Sequence, residues 1–365
     1  MKALAHLTVG DISGTISTCY CGKLLADYGA RVFNFEPDQG FMTRRIKPFI
    51  PDTEQSAMHG YLNTNKMSVT GATLSDWEHV DLILYDQTIT AIDEKKLKTN
   101  TSAISWFGKT GPYAQFKGSD AMIQSLIGQL RGIGPPEGPP IIPTGYQAQI
   151  VGGLTAYVGS LGHLLGNSLK ATEELFDLDT SIFESNMCLT DPSILHAVDQ
   201  MDVPPRLGIN RFAPTYPLGV FPCKDGWLGV TVLSPPQWEA FCKLLDLKEL
   251  SDTPLFHASM ERLEAADLIE PMILEKLSQS SAEDLFYKGQ TARIPLARVP
   301  TMDELFTVDQ YRIRDAFSQA RQAGQEYEVP SVPFRLFKTP PHFGGSVRDL
   351  GQDTATWKQA NKDRT

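Results

Sequence analysis

The first 37 residues alternate between strand and helix patterns, and this order constrains the fold more than any other feature of the sequence. Residues 3–11 (ALAHLTVGD) predict a strand that ends in polar turn residues, and residues 22–29 (GKLLADYG) predict a helix with Gly29 as its C-cap. Residues 30–36 (ARVFNFE) alternate as a second strand. Strands joined by a helix of this length predict a parallel sheet with crossover helices, and therefore an α/β fold.

The same rhythm continues further along the chain. Short apolar runs at 79–86 and 101–108 predict two more strands, and 178–189 predicts a strand that turns into a helix. A helix is expected at 119–130, with Ser119 or Asp120 as its N-cap, and a long Gly-containing helix begins near Gln149.

A Pro- and Gly-rich stretch at 202–219 separates two parts of the chain that differ in character. After it, VFPCKDGWLGVTVL (220–233) predicts a hairpin, because Asp-Gly is a strong tight-turn signal. We expect a large domain, a linker, a smaller α+β domain and a segment that returns to the large domain, at 1–200, 201–215, 216–305 and 306–365.

The composition is that of an ordinary soluble globular protein, with 41% hydrophobic and 21% charged residues in 365. A net charge of −10 without a long Lys/Arg run argues against nucleic acid as the main partner. The sequence contains no apolar run of membrane-spanning length, and its N-terminus is a poor signal peptide. The five cysteines form no CxxC pair, so we expect reduced thiols, no metal site and a cytoplasmic protein.

Residues 144–153 (TGYQAQIVGG) place polar side chains directly before paired glycines. Such a stretch is compatible with an active-site wall or with nothing more than the start of a helix. It contains no carboxylate, histidine, cysteine or serine that could act as a nucleophile or base.

Six segments of the chain, taken together and in order, have the character of one known family. They are LTVGDISGTISTCYCGKLLADYGARVFNFEP (7–37), YLNTNKMSVT (61–70), ISWFGKTGPYAQFKGSDAMIQSLIG (104–128), LDTSIFES (178–185), YPLGVFPCKDGWLGVTVLSPPQWEAFC (216–242) and RIPLARVPTMDELF (293–306). These segments resemble those of family III CoA-transferases, the superfamily of formyl-CoA transferase, carnitine CoA-transferase and α-methylacyl-CoA racemase. The resemblance implies a Rossmann-like large domain, a smaller domain and a homodimer of two rings threaded through each other.

Coenzyme A carries phosphates, so a site for it needs cations and backbone amides. The resemblance implies a first-turn segment that wraps the cofactor, two phosphate partners and a nucleotide-side loop. The residues at these places are Thr15, Ile16 and Ser17, then Arg44 and Arg45, then Asn63, Asn65 and Lys66. The alternative is that these polar and charged residues form a solvated face.

The sequence departs from the family pattern where the chemistry is expected. The family transferases have a nucleophilic Asp at the place of Gln149, and a glutamine amide cannot attack a thioester. The racemases pair an Asp with a His, and Ser119 stands where that His belongs. Residues 85–88 (YDQT) replace a segment with a cofactor-side Arg, which weakens the case for ordinary CoA binding.

Other side chains are candidates with a plainer alternative. Asp120 is retained from the family pattern but also suits a helix N-cap, and His163 is expected to be a packed core histidine. Glu184 follows a strand and is expected to be structural, and Cys188 has no evident base nearby. Tyr146, Gln147 and Gln149 either orient an acyl-CoA carbonyl by hydrogen bonding or cap and solvate a helix start.

Three functions remain open from the sequence. The first is an enzyme acting on acyl-CoA thioesters or related carboxylic acids, with Tyr146, Gln147, Gln149 and Asp120 as the catalytic candidates. It includes racemase- or isomerase-like chemistry as a lesser possibility. The second is a non-catalytic subunit or binding protein whose hetero-oligomeric partner carries the Asp. The third is a family fold that now binds a ligand other than CoA.

Overall fold

Six parallel strands form the central sheet. The structure is a computed structural model that describes residues 2–86, 97–170, 174–189, 198 and 205–362. The strands lie in the order β3-β2-β1-β4-β5-β6, which is the order of a doubly wound dinucleotide-binding sheet. Their bounds are β1 Thr8–Asp11, β2 Arg31–Glu36, β3 Lys66–Thr70, β4 Leu82–Tyr85, β5 Asn100–Ser105 and β6 Asp177–Ser181. The predicted α/β fold with a parallel sheet is confirmed.

Helices connect these strands and continue beyond them. In chain order they are α1 Ile16–Asp27, α2 Ala57–Asn63, α3 Leu74–Trp77, α4 Asp120–Leu126, α5 Gln147–Lys170, α6 Ile182–Met187, α7 Pro235–Leu244, α8 Lys248–Ser251, α9 Ser259–Glu264, α10 Ala266–Ser278, α11 Ala282–Thr291, α12 Asp309–Ile313 and α13 Thr354–Lys362. The helix expected over 119–130 ends at Leu126, and α5 begins two residues before Gln149. Strand β3 is an element that the strand patterns did not predict.

Two short sheets complete the strands. One is the antiparallel sheet of β7 Leu218–Cys223, β8 Gly226–Thr231 and β9 Leu296–Val299. The other consists of β10 Phe317–Gln322, β11 Gln325–Pro330 and β12 Gly345–Ser346. The first contains the predicted hairpin, since β7 and β8 pair through a turn at Lys224 and Asp225.

The described chain divides into two compact units. The first comprises 1–129, 142–201 and 309–365, and the second comprises 130–141 and 202–308. The second unit buries the inner face of its sheet against α7, α10 and α11, with Trp238, Phe241 and Ile269 fully inaccessible in its core. The domain boundaries expected from the sequence, which concern parts that fold independently, stay a prediction.

Helices α1 and α5 cross at very short distance on one face of the six-stranded sheet. A methyl group added at Gly153 would lie 2.5 Å from the backbone carbonyl oxygen of Ser17. At the neighbouring Gly152 it would lie 2.7 Å from the side chain of Ile182. Gly153 therefore permits the close approach of α1, and Gly152 that of α6, so the start of α5 lies against the first turns of α1.

We expect Gly153→Ala to destabilise the protein by about 1–3 kcal/mol, because the added methyl meets backbone that cannot move cheaply. Gly162→Ala is the matched control on the same helix, since a methyl there meets nothing within 4 Å. It should stabilise the protein by about 0.5–1 kcal/mol. Urea unfolding of both variants checks this, and equal shifts in one direction would contradict the close crossing.

Candidate functional site

The candidate site lies at the carboxyl ends of β1 and β4. The strand order reverses between these two neighbours, and ligands of doubly wound sheets bind in the crevice outside such a reversal. Asp11 ends β1 and Tyr85 ends β4, so the residues that follow them form the two sides of the crevice.

The buried carboxylate of Asp11 organises the loop after β1. Its Oδ1 accepts hydrogen bonds from the backbone N–H groups of Ser13 and Gly14, both at 3.0 Å. Burial raises the pKa of Asp11, and the nearby charge of Lys66 opposes the effect. The Ser13 hydroxyl in turn accepts a 2.7 Å hydrogen bond from the backbone N–H of Asp86. The loop is thereby tied to both strands of the crevice.

The predicted cofactor segment forms the first turn of α1. Gly14 adopts φ +64°, and a methyl group there would collide with the ring of Phe41 at 2.0 Å. Thr15 is the N-cap, and its hydroxyl accepts a 3.3 Å hydrogen bond from the N–H of Thr18. Ile16 and Ser17 are buried. Only Thr15 among the three predicted residues keeps partial exposure, so a ligand would meet mainly backbone here.

Asp120 and Gln149 are paired at the start of α5. Asp120 Oδ2 accepts a 2.8 Å hydrogen bond from Gln149 Nε2, and its Oδ1 accepts one of 3.2 Å from the Gln149 backbone N–H. Each residue is 9% exposed. Ser119 is the N-cap of α4, and Asp120 is the first residue of that helix. Asp120 therefore caps the neighbouring helix α5 rather than its own.

The other two residues of the predicted catalytic stretch differ in their surroundings. Tyr146 is half-buried and packs against a small apolar cluster that includes Ile16 and Cys19 of α1. Gln147 is exposed on the first turn of α5. The structure thus brings Tyr146 against the first turns of α1 and Gln149 against Asp120, while Gln147 is exposed.

Lys66 and Asn63, predicted to meet a nucleotide, lie inside the protein. Each is 2% exposed. Lys66 Nζ donates to the Cys19 backbone carbonyl at 2.8 Å and to Asn63 Oδ1 at 3.0 Å. Burial lowers the pKa of Lys66, while the nearby Cys19 and Asp11 oppose that shift. Gly22 leaves space for this side chain, since a methyl there would lie 3.1 Å from Lys66 Nζ.

Asn65 has a backbone role beside this interior. Its φ of +64° is left-handed, which Asn tolerates better than most residues. Its Nδ2 donates to Asp27 Oδ1 at 3.0 Å and to the His342 carbonyl at 3.1 Å. In the described contacts the loop 63–66 therefore ties α1 to the C-terminal segment.

A buried imidazole connects α2 to the same network. His59 Nδ1 lies 2.9 Å from Thr43 Oγ1 and 3.1 Å from Asn63 Nδ2, so Nδ1 accepts from both. Its Nε2 is buried without a partner among the described residues. Burial lowers the pKa of His59 to about 3, and the charge of Arg44 acts in the same direction.

Arg44 is held by Glu36, whereas Arg45 is exposed. Arg44 forms two hydrogen bonds to the Glu36 carboxylate, at 2.7 Å from Nε and 2.6 Å from Nη2. Burial of Glu36 opposes its ionisation, but Arg44, with Ser68 and the Phe41 N–H, holds its pKa below the usual range. Arg45 has only a 3.2 Å hydrogen bond to the Gln39 carbonyl in the described contacts. A phosphate could reach Arg45 without breaking an ion pair.

The remaining candidates lie outside this constellation. His163 is exposed and stacks on Phe176 at 4.7 Å, so the expectation of a packed core histidine is wrong. Glu184 and Cys188 are exposed at the two ends of α6. Gln87 and Thr88 of the altered segment lie outside the described residues.

Sequence reasoning missed Asp11, Glu36 and His59. An acidic residue at the end of the second strand is a known feature of dinucleotide-binding folds, so Glu36 had a signal. Asp11 and His59 had none, because their roles depend on burial.

Two absences hold for the described part of the chain. Within it, no group of three or more His, Cys, Asp and Glu side chains could hold a metal ion. None of the described helices combines the length and apolar character needed to cross a membrane.

We expect acid to destabilise the protein partly through His59. The folded-state pKa of about 3 lies below the unfolded value of about 6.5, so the unfolded chain binds the extra proton between these values. Stability is then lost as pH falls through this window, by up to about 1.4 kcal/mol per pH unit. Urea unfolding of His59→Asn should show a shallower pH slope than wild type. The exposed His6→Asn is the control, and an identical slope for His59→Asn would contradict a neutral buried imidazole.

Comparison with known proteins shows the family of this chain. Residues 4–71 and 101–354 match the model of CoA-transferase family III. A Mycobacterium tuberculosis protein named "Probable CoA-transferase" is 23% identical over 92% of this chain, which spans 45% of that protein. Succinyl-CoA:mesaconate CoA-transferase of Haloarcula marismortui is 25% identical and covers 94% of this chain, which spans 93% of that protein.

A solved structure shows the same fold. A CaiB/BaiF family protein from Brucella suis superposes with a TM-score of 0.86 at 20% identity, covering 98% of this chain and 99% of that one. The family match extends over most of the chain and includes both the crevice loop and the start of α5. The chain belongs to CoA-transferase family III.

Proposed function

We propose that this chain acts on acyl-CoA thioesters and carboxylic acids, and that Asp120 supplies the carboxylate that position 149 lacks. The observation that carries this is the 2.8 Å contact between Asp120 Oδ2 and Gln149 Nε2. The resemblance assigns the family's nucleophile to position 149, and this contact supports a role for the adjacent carboxylate in its place. Family membership and the relatives named CoA-transferases support the substrate class.

Gln149 orients that carboxylate. Both Asp120 oxygens accept one hydrogen bond from Gln149, and each retains a lone pair. The second N–H of the Gln149 amide and the hydroxyl of Tyr146 are then donors for a thioester carbonyl, in the manner of an oxyanion hole. Gln147, exposed beside them, suits contact with the bound acid.

The reaction balances without another reactant. The Asp120 carboxylate attacks the thioester carbon, the C–S bond breaks, and CoA thiolate leaves an acyl-aspartyl anhydride. The thiolate attacks the aspartyl carbon, which releases the first acid and leaves an aspartyl-CoA thioester. An acceptor carboxylate attacks that thioester, and the returning thiolate takes the new acyl group. Asp120 is regenerated as a carboxylate.

Incubation with pooled acyl-CoAs and acids in heavy water tests this, with products analysed by mass spectrometry. We expect new CoA esters, and a loss of about a hundredfold or more in Asp120→Asn. CoA binding measured by calorimetry should remain in that variant. The control Glu184→Gln removes an exposed carboxylate of α6 and should keep full activity.

Other outcomes of the same experiment decide against the proposal. New esters in Asp120→Asn would assign the chemistry to another carboxylate, which hydroxylamine trapping of the enzyme thioester locates. Deuterium at the α-carbon without exchange would indicate racemase-like chemistry.

The second candidate is a non-catalytic subunit, and the observation that favours it is Gln149 itself. An Asp120 carboxylate that only caps α5 would leave the site without a nucleophile. Unchanged substrates together with measurable CoA binding would favour the non-catalytic subunit. Purification from the native source would then identify an Asp-bearing partner subunit. Absence of CoA binding would instead select the third reading, a different ligand.

We also propose a homodimer, interlocked as in the family, in the cytoplasm. Leu154, Val158, Leu165 and Leu169 lie along one side of α5 and are all exposed, Leu169 by 78%. An apolar stripe of this length favours a second copy as its cover.

We expect light scattering to give the mass of a dimer. Val158→Glu should shift it towards the monomer, because a charge would be buried in the contact. Lys170→Glu, on another side of the same helix, is the control. A wild-type monomer, or a Val158→Glu dimer of unchanged stability, would contradict this assembly.

A further inference from the structure

A cavity of about 320 Å³ lies between α1, α2 and the C-terminal segment of the first unit. Tyr20 of α1 and Tyr61 of α2 form one side of it. Arg314, Arg335 and Ser331 lie on the other.

Three of the five polar side chains that line this cavity lack a partner among the described residues. Neither phenol oxygen of Tyr20 and Tyr61 has a hydrogen-bond partner there, and Arg314 forms no ion pair. Arg335 is engaged by Asp315: its Nη2 donates a 3.1 Å hydrogen bond to the Asp315 carbonyl, and its Nη1 lies 3.5 Å from Oδ2 of a carboxylate that is 64% exposed.

Both phenols remain protonated at neutral pH. Burial raises the pKa of Tyr20, and the charge of Asp27 adds to the shift. Burial likewise raises the pKa of Tyr61, helped by Tyr20 and Asp27. The carboxylate of Asp27 is itself neutralised by Lys23 at 2.7 Å, so it does not cancel the arginines. The hydroxyls therefore serve as donors.

The C-terminal wall is held in place. Tyr28 donates a 2.6 Å hydrogen bond to the Phe334 carbonyl, and the two rings stack at 4.2 Å. The Ser331 N–H donates to the Ala316 carbonyl at 2.9 Å, and its hydroxyl to the Asp315 carbonyl at 2.6 Å. A wall fixed at both ends gives a preformed site rather than one created by its ligand.

We propose that this cavity binds a phosphate group, free or carried on a nucleotide. Arginine forks match the oxygens of phosphate, and the phenols supply neutral donors to the remaining lone pairs. The two tyrosines pack against the same cluster of Ile16 and Cys19 that contacts Tyr146. The cavity therefore lies against an apolar cluster that also borders the candidate site. This assignment does not depend on which reaction the protein catalyses.

The test is titration of the 365-residue protein with inorganic phosphate, monitored by calorimetry in phosphate-free buffer. We expect saturable binding that Arg314→Gln weakens about tenfold or more, the cost of losing a charge-assisted hydrogen bond. Tyr61→Phe removes only one hydroxyl and should weaken binding while keeping the ring beside Lys23, whose Nζ lies 5.1 Å from the ring centre.

Arg312→Gln is the matched control. Arg312 is exposed and only two residues away, but it pairs with Glu328 and does not line the cavity. It should leave the Kd for phosphate unchanged. Absence of phosphate binding in wild type would overturn the proposal, as would equal affinities in Arg314→Gln and Arg312→Gln.

Titrations with CoA and dephospho-CoA separate the two sources of the phosphate. If Arg314→Gln weakens CoA but not dephospho-CoA, the group that binds is the 3′-phosphate of CoA. If it weakens inorganic phosphate alone, the ligand is a free anion. Either result supports the cavity as a phosphate site, and both are independent of whether any CoA ester is converted.

Discussion

The close crossing of α1 and α5 is the contact on which the candidate site depends. Gly153 lets the Ser17 backbone lie within a distance that any side chain would prevent. The contact sets the first turn of α1, with its Thr15 cap, beside the start of α5, with Tyr146 and Gln149. A crevice loop at the sheet edge and a polar stretch far along the chain become two walls of one site. This is possible because α5 has glycine at the crossing, so the two helices can approach that closely.

Two buried ionisable residues, Lys66 and Asp11, help to hold this arrangement. Lys66 binds the Cys19 carbonyl inside α1, and Asp11 holds the loop that enters the helix. Each is costly to bury alone, and each is stabilised by fixed hydrogen-bond partners. Lys66, whose type suggests contact with phosphate, thus binds the protein backbone instead. Arg45 is exposed and forms no ion pair in the described contacts, so its guanidinium is accessible to an anion.

The glutamine at position 149 provides a side-chain amide at the start of α5. The amide of Gln149 is a hydrogen-bond donor, and its observed acceptor is the Asp120 carboxylate. The Asp120 carboxylate caps the 24-residue helix α5, and the proposed function gives it a second role as the nucleophile. A bound thioester would affect the Asp120–Gln149 contact differently if Asp120 is a nucleophile than if it is only a helix cap.

The sequence by itself determined the α/β class, the strand order of the first crossover, the hairpin at Asp225-Gly226 and the family, because these rest on local periodicity, turn chemistry and motif order. It also located the polar stretch at 144–153. Only the tertiary structure decided that Lys66 and Asn63 face inward, that His163 is exposed and that Asp120 caps α5. Burial and pairing between residues tens of positions apart depend on how helices pack on the sheet, and no local pattern carries that information.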